Sequence, residues 1–142
     1  MKWEKELTAC RDAARRAGTM ALRHAARGVS AETKPDQSPV TVADRECEAA
    51  IVGTLREAFP RDGILGEEGS REEAASGRRW IVDPIDGTRA FISGLPTWGV
   101  RIGLYYEGGP LLGAMDQPFT EERYRGWNDG ANATVGGSTR PI

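Results

Sequence analysis

Two kinds of hydrophobic spacing divide this chain. From residue 2 to residue 27, apolar side chains recur by threes and fours, at Trp3, Leu7, Cys10, Ala14, Ala17, Ala21 and Ala25. That is the period of one helix face, and its small residues allow another element to approach closely. Gly28 follows as a C-cap. His24, the only histidine, falls in the last turn, where a cation complements the helix dipole. It reads as a partly exposed helix-end residue, not as a nucleophile's relay or a member of a zinc cluster. Thr41 and Asp44 have capping-box spacing and open a second helix to about Phe59, with Cys47, Ile51, Leu55 and Phe59 facing inward. Between the helices, residues 29–40 hold two prolines and several turn formers and read as a loop.

Beyond Phe59 the pattern turns to strands. Ile64-Leu65-Gly66 begins a short strand leading to Glu67 and Glu68. Residues 69–78 are rich in Gly, Ser and charge, as in a mobile surface loop. Trp80, Ile81 and Val82 suit a strand covered on both faces, and Pro84, which lacks an N–H, ends it at Asp83. Further strands follow over 99–106, 110–116, 121–127 and 131–135, with turns at Gly108-Gly109, Gln117-Pro118 and Trp127-Asn128-Asp129. Trp80 and Phe91 belong to the core. Two N-terminal helices packed on a mostly antiparallel sheet make an α+β fold. No repeat or linker interrupts it.

Composition narrows the function classes. At 142 residues the chain can bury a moderate core. Its 19 basic and 21 acidic residues leave a net charge of −2, without the basic footprint of a nucleic-acid or membrane-surface binder. Cys10 and Cys47 are too few for a disulfide scaffold and read as buried free thiols. The charged N-terminus lacks a leader's apolar core, and no run approaches membrane-spanning length, so the expected location is the cytoplasm.

The chemistry concentrates in Asp83-Pro84-Ile85-Asp86-Gly87-Thr88. Two acids this close raise each other's pKa unless cations neutralise them. Oxygen donors at such a corner suit Mg²⁺, and the amides of Gly87 and Thr88 are left for an anion such as phosphate. The local alternative is a turn stabilised by its Asp side chains, with Glu67 and Glu68 solvated at a strand end.

This block, with Gly66-Glu67-Glu68 upstream, resembles the signature of the inositol monophosphatase family of Mg²⁺-dependent phosphomonoesterases. Residues 90–99 (Ala-Phe-Ile-Ser-Gly-Leu-Pro-Thr-Trp-Gly) and 112–120 (Leu-Gly-Ala-Met-Asp-Gln-Pro-Phe-Thr) resemble its histidinol-phosphatase branch. The resemblance runs from about Lys34 to about Gly126. It implies a first Mg²⁺ held by Glu67, Asp83 and the carbonyl of Ile85, and a second reached by Asp83 and Asp86. A third, weaker ion near Glu68 is a further option. It also implies that Thr88 and Asp44 orient or deprotonate the attacking water, with Glu67 sharing in catalysis. Gly87, Thr88, Asp86 and Lys34 would hold the phosphate of a small substrate. Read alone, Asp44 equally suits an ordinary first-turn acid, Thr88 an N-cap, and Lys34 a solvated loop residue.

Family members continue into a second α/β half, with a further metal-binding Asp in a Trp-Asp-x-Ala block. Residues 1–142 therefore resemble the N-terminal half of the family's α/β/α/β/α sandwich, with the C-terminal half absent and one sheet face left bare. The implied reaction is hydrolysis of histidinol phosphate in histidine biosynthesis. Inositol 1-phosphate or a nucleotide 3′-phosphate are alternative substrates. The competing expectation is an inactive metal- or phosphate-binding module, which recovers its missing surface as a homodimer or from a full-length relative.

Overall fold

A computed structural model describes residues 2–28, 31–35 and 39–142. Helix α1 (Glu4–Arg27) ends at Gly28, whose positive φ of 86° is one that glycine adopts at no steric cost. Leu7, Cys10, Ala14, Ala17 and Ala21 are buried as the spacing predicts, whereas Ala25, in the last turn, is exposed. The segment 29–40 is not simply a loop: β1 (Ala31–Thr33) pairs antiparallel with β2 (Pro39–Thr41). Residues 29, 30 and 36–38 of that segment lie outside the described residues. Helix α2 (Val42–Ala58) opens with the capping box, Asp44 N–H donating to Thr41 Oγ1 at 3.2 Å and Thr41 N–H to Asp44 Oδ2 at 2.8 Å. Its Cys47, Ile51 and Leu55 are buried, and Phe59 stacks on Trp80 with ring centroids 5.6 Å apart.

The remaining strands form one eight-stranded sheet. In chain order they are β3 (Gly63–Gly66), β4 (Arg71–Glu72), β5 (Arg78–Asp86), β6 (Gly99–Tyr106), β7 (Gly109–Gln117), β8 (Glu122–Trp127), β9 (Gly130–Val135) and β10 (Ser138–Pro141). The sheet order is β10-β9-β8-β7-β6-β5-β3-β4, antiparallel throughout except for the parallel pair β3–β5. β4 and β10 were not expected. Each is too short, and too exposed, to carry an alternating pattern. Between β5 and β6 stands the short helix α3 (Thr88–Ile92).

Two expectations for β5 need correction. The strand does not stop at Asp83 but continues to Asp86, with a register shift between these residues. Pro84 sits within that irregularity, where its missing N–H breaks no ladder bond. Nor is the strand covered on both faces. Trp80 and Val82 are buried on the side of β5 that packs against α2, while Ile81 remains 37% exposed on the other side. On that bare side Ile81, Tyr105, Leu111, Met115, Tyr124 and Ile142 line a broad, largely apolar trough. The core is therefore single: two helices against one face, with Trp80, Phe91, Ile51 and Leu104 among its largest members.

Candidate metal and phosphate site

The parallel pair delivers the acids. Gly66 lies beside Val82, and the Glu67 amide donates to the Val82 carbonyl at 3.0 Å, which lays the turn after β3 against β5. Glu67 and Asp83, distant in sequence, thus become neighbours. The register shift then carries the backbone round to Asp86, Gly87 and the start of α3. Gly87 has φ 93°, and a Cβ there would stand 3.0 Å from the Thr97 carbonyl oxygen, so both conformation and space require glycine.

The first turn of α2 meets this corner. Asp44 is fully buried. Its Oδ2 accepts from Thr41, and its Oδ1 accepts from the Thr88 hydroxyl at 3.0 Å. The Ile85 carbonyl lies 3.2 Å from the same hydroxyl. A hydroxyl has one hydrogen, and a carboxylate is the stronger acceptor, so Asp44 takes it and Thr88 Oγ keeps a free acceptor lobe. The N-cap of α3 is Gly87, not Thr88. Asp44 therefore caps α2 and holds Thr88 at once.

Charge is unbalanced here. Burial pushes the Asp83 carboxyl up to about 7; the facing Glu67 carboxyl and the Asp86 charge add to this, and Arg101 opposes it. Asp83 Oδ1 is buried with no hydrogen-bond donor. Glu67 faces Asp83, but a carboxylate offers a hydrogen only when protonated. Two cations stand among the acids. Lys34 Nζ lies 3.3 Å from Glu68 and 3.7 Å from Glu67, and Arg101 Nη2 lies 3.3 Å from Asp83 and 3.4 Å from Asp86. Burial also raises the Glu68 pKa, against the pull of Lys34. Among the described residues, no three acid, His or Cys side chains are drawn together closely enough to hold an ion as they stand. The donor chemistry nonetheless fits a hard divalent cation, since an orphaned, buried carboxylate oxygen is what such an ion satisfies.

The family model of inositol monophosphatases matches residues 2–141. The chain belongs to the inositol monophosphatase family. It is 42% identical over 126 residues to a histidinol-phosphatase of Chlorobaculum parvum, covering 88% of this chain and 48% of that protein. A histidinol-phosphatase of Mycobacterium tuberculosis is 42% identical over 120 residues, covering 82% and 45%. Among solved structures, the extragenic suppressor protein suhB of Bartonella henselae superposes with a TM-score of 0.83 at 29% identity, covering 92% of this chain and 51% of that one. This family member thus spans about half the length of the curated relatives it matches.

Two residues that shape the site of this inositol monophosphatase family chain went unread in its sequence. Glu48 is buried and accepts from the Glu68 amide at 2.8 Å, the Ser70 amide at 3.1 Å and the Ser70 hydroxyl at 2.7 Å. It fixes the turn that presents Glu67. A Cβ on Gly66 would fall 2.3 Å from Glu48 Oε1, so Gly66 is what admits this acid. The signal was present: Glu48 shares the inward face of α2 with Asp44 and Leu55, where an acid is unusual. Arg101 gave none, because only the β5–β6 register puts it opposite Asp83. His24 turns out to be a bystander, 2.7 Å from Glu46 at the surface. Both cysteines are free and buried, their thiols pushed up to about 12 by burial.

Proposed function

We propose that this chain carries the metal- and phosphate-binding half of a Mg²⁺-dependent phosphomonoesterase that hydrolyses histidinol phosphate to histidinol and phosphate. What supports this most is the Asp44–Thr88 contact at the same corner as the unsatisfied Asp83 oxygen. With the Thr88 hydrogen held by Asp44, the Thr88 oxygen accepts a proton from the attacking water and passes its own to Asp44. The amides of Gly87 and Thr88, with Lys34 and Asp86, would hold the phosphate oxygens. Glu67, Asp83, Asp86 and the Ile85 carbonyl would hold Mg²⁺, which when bound supplies the positive charge that offsets the acids and the developing charge on phosphate. Glu48 keeps the Glu67 turn in place for this.

Identity to histidinol-phosphatases favours that substrate over inositol 1-phosphate or a nucleotide 3′-phosphate, and with it a place in histidine biosynthesis in the cytoplasm. Among the described residues no helix is long and apolar enough to cross a membrane. The bare trough favours a second reading, a metal- or phosphate-binding module whose sheet is covered by a further layer, from a second copy or a longer relative. Phosphate release from histidinol phosphate in Mg²⁺ separates the two. The phosphatase reading expects turnover that Thr88→Val lowers about a hundredfold or more. Absent turnover, with Mg²⁺ still raising the melting temperature, supports the module.

A further inference from the structure

Arg101 reaches the acids from a strand that contributes no ligand. It pairs with Asp83 directly across β5–β6, and with Met115 on its other side, so the register aims its side chain at Asp83 and leaves it no acid to choose on β7. One nitrogen, Nη2, stands 3.3 Å from Asp83 Oδ2 and 3.4 Å from Asp86 Oδ1. A single positively charged group within reach of both carboxylates offsets charge that a divalent cation would offset if bound there. Three features make this a loose occupancy. The contacts are long and not the paired fork that gives arginine its strength. The Arg101 side chain is 55% exposed, so it can swing into water at small cost. Asp83 Oδ1 stays without a donor, so the guanidinium satisfies only half of the more buried acid.

We propose that Arg101 is a built-in stand-in for the divalent ion: guanidinium and ion are alternative occupants of the Asp83–Asp86 corner, and binding one expels the other. This rests on the metal reading given above. Without the ion, Arg101 holds two like charges together and keeps the corner assembled. Its presence in turn weakens ion affinity, so Arg101 sets the ion concentration at which the site fills.

The test uses Mn²⁺ as the probe, titrated into the purified full chain and followed by calorimetry and by the paramagnetic signal of the free ion. Arg101→Gln and Arg101→Ser both suit a solvent-facing strand position. Each is expected to bind Mn²⁺ about three- to tenfold more tightly than the parent, the range that loss of one or two exposed ion pairs predicts. In EDTA the same variants should melt about 1–3 °C lower than the parent. In saturating Mn²⁺ that gap should close or reverse. Arg101→Lys, which keeps the charge, should stay near the parent. If the parent binds Mn²⁺ and the variants bind it equally or more weakly, Arg101 is not a competitor, and the metal reading stands without it. If neither the parent nor the Arg101 variants bind Mn²⁺, the metal reading fails and the competition fails with it.

Discussion

At the start of β3 and β5, Asp62 is 8% exposed and surrounded by donors: the Arg78 guanidinium at 2.7 Å, the Ser76 hydroxyl at 2.7 Å and the Trp80 indole N–H at 2.9 Å. Arg78 reaches on to Glu6 of α1 at 3.0 Å. At the other end of the same two strands, Asp83 faces two more carboxylates and leaves an oxygen with no donor at all. Burial disfavours ionisation at both ends. At Asp62 the hydrogen bonds from Arg78, Ser76 and Trp80 overcome it and the pKa falls; at Asp83 the neighbouring acids reinforce it and the pKa rises. One pair of strands thus carries a carboxylate matched for stability and another left unmatched. A fold tolerates the second where a ligand is to supply the missing charge.

The difference between the two ends of these strands should show most strongly when Asp62 is removed. Asp62→Ala strands Arg78 and the Trp80 N–H in a largely buried pocket, and should destabilise the chain by about 3 kcal/mol in urea unfolding. A loss below about 1 kcal/mol would mean the network is ornamental. Next in size is the corner itself. Gly87→Ala forces φ 93° on a residue with a Cβ and drives that Cβ toward Thr97, costing about 1–2 kcal/mol. Thermal unfolding with and without Mg²⁺ should show any stabilisation by Mg²⁺ shrinking along with that of the turn.

The smallest effect is the most telling, because its sign is reversed. In EDTA, folded Asp83 binds its proton more tightly than the unfolded chain does. Its contribution is therefore full below the unfolded value of about 3.9 and fades as pH rises through about 7. Asp62 behaves oppositely: its contribution holds above about 3.9 and is lost on acidification. Between pH 5 and 8 the metal-free melting temperature should fall with rising pH. Asp83→Asn should flatten that slope while leaving stability equal or slightly raised, and should abolish any stabilisation by Mg²⁺. A melting temperature that rises over this range would contradict the assignment.

Local signals made most of this readable in advance. The capping box of Thr41 and Asp44 and the C-cap at Gly28 depend on neighbours within four residues, so they survive translation from sequence to fold. Asp83, Asp86 and Thr88 stood out because their spacing resembled a known signature, and the structure brings Thr88 to Asp44 and Glu67 to Asp83. What escaped depends on register. The pairing of Arg101 with Asp83, the Asp62 network and the exposure of Ile81 follow from which strand lies beside which. The β1–β2 hairpin and β4 escaped because strands of two or three residues carry no periodicity. Pro84 misled because a proline forbids a ladder bond, not a strand, and β5 shifts register where the bond would have been.

Helix α2 carries Asp44 and Glu48 one turn apart, the first gripping Thr88 and the second gripping the loop of Glu67. It acts as a calliper, its two jaws set by the 5.4 Å pitch of an α-helix. The Cys47 thiol between them donates to the Ala17 carbonyl of α1 at 3.2 Å, so the first helix steadies the tool. A methyl group trimmed from beneath α2, at Ile51 for instance, would tilt both jaws by one motion. Damage of that kind would register in the alignment of Thr88 with the Glu67 turn, far from the altered side chain, even while the protein stayed folded.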